Sequence, residues 1–289
     1  MGSLSRRMDA LVHAMERSRS LDAVGRAVAV GFAKVVRPGA AKDLFSGTWL
    51  GHPVHPVLTD LPIGAWTSAM ALDFLGGVEA QAAADMLIGV GVLTALPTAV
   101  TGLSDLADVV EPDERSVGVA HAVGNVSAVT LYALSFAMRR RGRRGLGNAL
   151  SLAGAGVATA SAYLGGHLVY RQVVGPSRAI DGPLPEWTPA LESHELIEGK
   201  PKRVAVGTAQ VMLYRTDGRI YALANRCSHR GGPLHKGQVD EATVTCPWHL
   251  SMFNLEDGSI LRGPATAPQP VYDVREREGK VEIRSHSSS

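Results

Sequence analysis

The chain's two cysteines each stand beside a histidine, giving Cys227-x-His229 and Cys246-x-x-His249, with sixteen residues between His229 and Cys246. Each short stretch offers one thiolate and one imidazole. Such a mixed set suits two metal ions, both thiolates on one iron and both imidazoles on the other, as in a histidine-ligated [2Fe–2S] cluster. Two other chemistries use the same residues. A structural zinc site takes two cysteines and two histidines, but zinc fingers group the cysteines in one half and the histidines, three to five apart, in the other. A disulfide would leave both histidines idle, and the N-terminal MGSLSRRMDALVHAMERSRS lacks the apolar core of a secretory signal that would direct the chain to an oxidising compartment.

A second group of histidines lies in apolar sequence. His52 and His55 fall in Gly51-His52-Pro53-Val54-His55-Pro56, ahead of four apolar segments at 57–77, 82–103, 117–138 and 146–170. Each has roughly the 20 residues a helix needs to cross a bilayer core. None holds Lys or Arg, and the connections are short, as in an up-down bundle. Gly154, Gly156, Ala158 and Ala160 permit close helix contact. A soluble bundle would carry a charged stripe on each helix, so a four-helix transmembrane bundle is expected. In that order the starts of the first and third spans share a side with the ends of the second and fourth. His52, His55, His121 and His167, with Asp60, Asp105 and Asn125, should then converge on one face. Ionisable groups inside a membrane are costly and mark function. Axial ligation of haem b, a quinone pocket and a structural role all fit His55, His121 and His167. Gly165-Gly166 would give a porphyrin room beside His167.

Around these lie the positioning elements. Residues 1–50 form an amphipathic N-terminal region, with Leu11, Met15, Val24, Val28 and Val35 at helical spacing, suited to a membrane surface or to packing on another domain. The transmembrane domain spans 51–172. A Pro- and Gly-rich linker covers 173–187. Short alternating runs then predict an all-β domain over 188–285, with strands at Arg203–Val206, Val211–Tyr214, Ile220–Ala222 and Val281–Arg284. Asp217-Gly218 marks a hairpin turn, and a loose Ser-rich tail closes the chain at 286–289.

On its two Cys/His stretches and on Arg262-Gly263-Pro264-Ala265, the region 188–285 resembles the Rieske domain. The resemblance implies three small sheets, with two cluster loops and a proline loop at one tip. It also implies that Cys227 and Cys246 hold the inner iron and His229 and His249 the outer, solvent-facing one. Gly232 and Trp248 occupy the places of a cysteine pair that forms a disulfide in Rieske proteins of quinol–cytochrome c reductases. Phe253 stands where those proteins have a tyrosine that hydrogen-bonds a cluster thiolate, while Ser251 keeps the other hydroxyl. Hydrogen bonds to sulfur raise the potential, so the resemblance is to the lower-potential, ferredoxin-type class. Leu250 stands where relatives usually have glycine, which predicts strain if that position needs positive φ. Residues 45–172, on their His-Pro-x-His-Pro start and Leu61-Pro62-x-Gly64, are similar to an uncharacterised bacterial membrane-domain family, which adds a four-helix membrane fold and no established chemistry.

The expected function is a membrane-anchored one-electron carrier, working with the lipid bilayer and with a redox partner protein, a reductase or oxygenase component, rather than as a stand-alone enzyme. The alternatives are a redox sensor or assembly factor using the cluster structurally, or a subunit of a quinol-linked oxidoreductase. An oxygenase would need a mononuclear site of two histidines and a carboxylate, and only His286 follows His249. A net charge of +2 gives no sign of nucleic-acid binding. Arg226, Arg230 and Lys236 beside the cluster loops could attract an acidic partner. Basic residues at the span ends balance, with Arg37, Lys42, Arg115, Arg171 and Arg178 against Arg139–Arg141, Arg143 and Arg144. Unpaired cysteines and the lack of an evident export signal place the β domain in the cytoplasm.

Overall fold

The computed structural model describes residues 3–286; residues 287–289 of the expected Ser-rich tail lie outside the described residues. The chain forms two compact units. One is helical and takes the chain up to Val36 and again over Pro53–Val174. The other takes Arg37–His52 and the chain from Gly175 onward.

The helical unit holds α1 (Ser3–Glu16), α2 (Arg19–Val35), α4 (Val54–Leu75), α5 (Gln81–Ala107), α6 (Pro112–Arg140) and α7 (Arg144–Tyr170). The last four answer to the four expected spans. α4 packs on α5 and α6 on α7, and the pairs meet along α5 and α6. Among the described residues, two helices are long and apolar enough to cross a membrane, Val78–Ala107 and Pro112–Arg140. α4 carries Asp60 and Asp73, and α7 is built largely of Gly, Ala and Ser, which lowers the hydropathy of both.

Close approach organises this core. The Trp66 indole stacks on Tyr132 with ring centroids 4.0 Å apart. A Cβ on Gly91 would lie 2.2 Å from the indole nitrogen, so only glycine lets α4 and α5 meet there. Pro62 inside α4 cannot donate to the Leu58 carbonyl. Thr98 of α5 supplies that donor, its hydroxyl lying 3.1 Å away. At the end formed by Leu75, Gln81, Arg140 and Arg144, α6 and α7 run two residues further into charged sequence than the apolar segments 117–138 and 146–170. There the fully buried Arg139 binds Asp73 and Asp85 at 2.5 and 3.1 Å, and Arg144 binds the same two at 2.8 and 2.9 Å. Two aspartates and two arginines neutralise each other across α4, α5, α6 and α7.

α1 and α2 pack on α6, and α2 also on α5. Of the two expected uses of their apolar faces, a membrane surface or packing on another domain, the structure shows packing on the bundle. Val12 is buried with Val117, Leu164 and Leu168, while Leu21 and Val28 cover Leu106, Val109 and Val119. Asp22 and Arg115 form a buried ion pair, and the Arg115 guanidinium also donates to the carbonyls of Val109 and Val110. Desolvating two charges requires this degree of pairing.

The β unit contains three antiparallel sheets, in the orders β1-β10-β9, β2-β3-β4 and β5-β6-β7-β8. The strands are β1 (Thr188–Glu192), β2 (Lys202–Val206), β3 (Ala209–Thr216), β4 (Arg219–Ala224), β5 (Gln238–Asp240), β6 (Thr243–Thr245), β7 (Met252–Asn254), β8 (Ile260–Arg262), β9 (Tyr272–Arg277) and β10 (Lys280–Ser285). Asp217 and Gly218, with φ of 49° and 72°, make the expected hairpin between β3 and β4. Glu278-Gly279 does the same between β9 and β10, with φ of 50° and 76°. β3 is apolar on both faces. Val211 and Leu213 enter one core with Val281 and Ile283, while Met212 and Tyr214 enter a second with Cys227, Cys246 and Phe253. The Pro- and Gly-rich stretch read as a linker lies on this unit from Gly175. Arg178 N–H donates to the Ser228 carbonyl at 3.0 Å, and Leu184 N–H to Ser285 Oγ at 2.7 Å. The unit also holds α3 (Ala40–Ser46), followed by a 3-10 turn at Thr48–Leu50.

Candidate metal centre

Cys227 stands in the loop after β4 and Cys246 in the loop after β6. Both are free thiols, each 1% exposed, built into the second core. They face each other closely enough for one thiol to hydrogen-bond the other. That contact moves their acidities apart. The bond from Cys227 brings Cys246 down to about 7 against the effect of burial, helped by the N–H groups of Trp248 and His249. The same bond, with burial, pushes Cys227 well above the ordinary thiol range. The imidazoles of His229 and His249 are half-buried and meet edge to face, with centroids 5.0 Å apart. The four side chains predicted from spacing therefore come together as an inner thiol pair and an outer imidazole pair.

Backbone hydrogen bonds shape the loops that carry them. In the first, Cys227 N–H donates to the Gly232 carbonyl at 2.9 Å and Gly231 N–H to the Cys227 carbonyl at 2.8 Å. In the second, Cys246 N–H donates to the Ser251 carbonyl at 2.8 Å and Leu250 N–H to the Cys246 carbonyl at 3.1 Å. Leu250 adopts φ of 64°, the left-handed conformation that its place in the loop foretold as strained. The Arg262 guanidinium holds it there, donating twice to the Leu250 carbonyl at 2.9 and 3.2 Å. Gly263-Pro264, joined by a cis peptide bond, follows in the third loop.

Several residues that shape the site gave no signal in sequence. Gln269, 1% exposed, accepts from Ser228 N–H at 2.9 Å and donates to the carbonyls of Ala224 and Arg226, both at 2.7 Å. Ser228 Oγ donates to the Ala267 carbonyl at 2.7 Å. Asn225 Oδ1 accepts from the backbone and ring of His235 at 3.0 and 2.8 Å. Gln269 and Ser228 tie the third loop to the first, while Asn225 closes the first loop on itself.

The helical unit's histidines take other partners. His55 Nδ1 lies 2.9 Å from the Thr98 carbonyl, tying α4 to α5. His121 uses both ring nitrogens, Nδ1 on the Ser161 carbonyl at 2.8 Å and Nε2 with the Asn125 amide at 3.0 Å. The gap at Gly165, read as clearance for a porphyrin, is filled by the His121 ring, which would meet a Cβ there at 3.0 Å. His167 pairs with Glu16 of α1 at 3.1 Å. His52 belongs to the β unit.

Residues 186–273 match the family described as the Rieske [2Fe-2S] domain. The anthranilate 1,2-dioxygenase ferredoxin subunit of Burkholderia cepacia is 30% identical over 100 residues, which are 35% of this chain and 93% of that protein. The chain belongs to the Rieske family. A 3-phenylpropionate/cinnamic acid dioxygenase ferredoxin subunit of Photorhabdus laumondii is 37% identical over 90 residues, 31% of this chain and 85% of that protein. Apoptosis-inducing factor 3 of Mus musculus is 33% identical over 91 residues, 32% of this chain, and the chain spans only 15% of that protein's length. Among solved structures, the complex of reduced oxygenase and oxidized ferredoxin in carbazole 1,9a-dioxygenase contains a similar chain. It is 29% identical with a TM-score of 0.33, over 36% of this chain and 96% of that one. Residues 51–178 match a second family, described as predicted membrane protein (DUF2231). The chain thus joins a Rieske domain related to dioxygenase ferredoxins, with the electron transfer that implies, to a domain of a predicted membrane-protein family.

The Rieske domain implies a [2Fe–2S] cluster, and the residues present fit one. Two soft thiols are buried side by side, and two imidazoles stand together at the rim. That arrangement suits two irons with two protein ligands each better than a single zinc. Gly232 and Trp248 are in contact. A Cβ on Gly232 would lie 3.1 Å from the indole and 2.7 Å from Cys246 Sγ, so the indole lies where the resemblance puts a disulfide in the quinol-oxidising proteins. Phe253 is fully buried in the thiols' core and brings no hydroxyl.

Proposed function

We propose that this chain is a membrane-anchored one-electron carrier, with Cys227 and Cys246 holding one iron and His229 and His249 the other. The observation that supports this most is the pairing of two buried thiols beneath two imidazoles. A [2Fe–2S] cluster held by such a set supplies reversible one-electron storage. The chain's own residues do the rest. The apolar core with Phe253 and Leu255 keeps water from the thiols, Cys246 is poised to bind as a thiolate, and the half-buried imidazoles face the surface where charge would leave. Ser251 Oγ accepts from Ala265 N–H at 3.1 Å, which leaves its own proton to donate toward sulfur. The ferredoxin subunits it is similar to serve dioxygenases, which supports an electron-transfer partner of the reductase or oxygenase-component kind. Exposed Arg226 and Lys236 favour an acidic partner surface.

The helical unit is the anchor. Met86, Leu93 and Leu96 on α5, Val123 and Val126 on α6 and Leu152 on α7 are exposed large apolar side chains with no charged stripe to accompany them. A soluble bundle would not leave so much apolar surface to water. We read His55 and His121 as helix ties rather than as a haem or quinone cradle, because Nδ1 of each ring serves a carbonyl of the neighbouring helix. The Rieske domain is assigned to the cytoplasmic side.

Spectroscopy of the full chain purified from membranes tests the proposal. The expected result is about two irons and two labile sulfides per chain and an EPR signal on reduction, as the cluster type requires. Stoichiometric zinc, or iron without sulfide, would sink it. A Soret band would overturn the reading of the helical histidines, and digestion of the β unit from outside intact cells would reverse the orientation.

A further inference from the structure

The segment 37–52 lies in sequence between α2 and α4, yet it belongs to the β unit. Two hydrogen bonds fix it to the proline loop. Asp43 Oδ1 accepts from Gly263 N–H at 3.0 Å, and the Thr48 hydroxyl donates to the Ala265 carbonyl at 3.0 Å. The fit leaves no room for a side chain. A Cβ on Gly263 would lie 2.1 Å from Thr48 Oγ1 and 2.7 Å from Asp43 Oδ1. The chain of contacts continues inward. Ala265 N–H donates to Ser251 Oγ at 3.1 Å, and the Ser251 carbonyl accepts from Cys246 N–H at 2.8 Å. Ala265 and Ser251 are both wholly buried. Three hydrogen bonds in series thus connect Thr48 to the second cysteine, with the Asp43–Gly263 bond beside them.

We propose that residues 40–50 are a built-in clamp on the proline loop, with Asp43 and Thr48 as positioning residues that hold Gly263–Ala265 closed over the metal centre. The proposal rests on the reading of that centre as a cluster site for its consequence, but not for the clamp itself. Backbone groups of the loop are the partners on one side and two side chains from the other end of the chain on the other. Without the clamp, Gly263 N–H and the Ala265 carbonyl would turn to water. The loop would then open more often, exposing Ser251 and the thiols behind it. The function of the clamp is to set how readily water and small reagents reach the cluster, a task performed in this chain by residues outside the Rieske domain.

The test compares the full-length chain with T48V, which keeps the shape and loses the hydroxyl, and with D43A/T48V. T48S and D43N keep a donor and an acceptor and serve as rescues. Hydrogen exchange over peptides spanning 260–268, read by mass spectrometry, should speed up by about five- to tenfold for each bond lost. It should stay near wild type in T48S and D43N. Iron release to a chelator should accelerate in the same order. Exchange within twofold of wild type in D43A/T48V would overturn the clamp. If the purified chain holds no cluster, the reading of the metal centre fails on its own, and exchange in the metal-free protein still decides whether the clamp exists.

Discussion

The helical and β units bury polar groups for opposite purposes. In the helical unit, Arg139 is wholly enclosed, and its guanidinium is matched by Asp73, Asp85 and Ser135. His121 gives both ring nitrogens to its neighbours. Those groups are spent on their neighbours within the bundle, Arg139 bridging helices and the His121 ring bonded at both nitrogens. In the β unit, Gln269, Ser228 and Ser251 are equally buried, but they hold backbone and leave two thiols and two imidazoles gathered at one tip. A buried polar residue marks function when its bonds position other side chains, and architecture when its bonds close on themselves.

The largest expected effect separates the units outright. Cys246→Ser should abolish cluster absorbance and iron binding while far-UV ellipticity at 222 nm, dominated by the helices, stays unchanged; loss of both would mean the units fold as one. Arg139→Met leaves Asp73 and Asp85 without their buried partner, and should cost about 3–5 kcal/mol in the helical unit's unfolding in detergent with the EPR signal intact. Gly91→Ala drives a methyl into the Trp66 indole and should cost about 1–3 kcal/mol by the same measurement. Leu250→Gly relieves a left-handed leucine and should stabilise the β unit by roughly 1 kcal/mol, read as a raised melting temperature.

The smallest effects lie at opposite ends of the pH scale. Burial raises the Glu16 carboxyl, but hydrogen bonds from His13 and His167 outweigh it and hold the group below its ordinary 4.5. Its stabilisation is present above that value and fades as pH falls through the lowered one. Burial, then the Asp181 carboxylate, pushes the Tyr272 phenol up from 10 to about 12. Its contribution to the β unit is whole below pH 10 and fades as pH rises toward 12. Glu16→Gln should flatten only the acid limb of a stability profile, and Tyr272→Phe only the alkaline one.

The candidate metal ligands were legible because ligand chemistry fixes residue type and short spacing. Cys227-x-His229 and Cys246-x-x-His249 are local patterns, as is the Asp217-Gly218 turn. Even the strain at Leu250 followed from one residue out of place. The four long helices were equally plain, since apolar length is additive along the chain. What stayed hidden was contact between distant residues of ordinary type. Nothing about Asp43 or Thr48 distinguishes them from helix and turn residues elsewhere. Gln269 sits in a Pro-Ala-Thr-rich loop with no period to read. The partners of the helical histidines were hidden for a related reason. Their helix order could be worked out, but which carbonyl or carboxylate each ring meets could not.

The separation of Asp43 from its partner Gly263 is 220 residues. At the roughly 5–20 residues per second of protein synthesis, residues 40–50 wait on the order of ten to forty seconds after leaving the ribosome before the loop they bind has been made. During that interval Asp43 and Thr48 have no proline loop to bind. Closure of the clamp is among the last events of folding, and a chain stopped short of Gly263 has an early segment with nothing to seize.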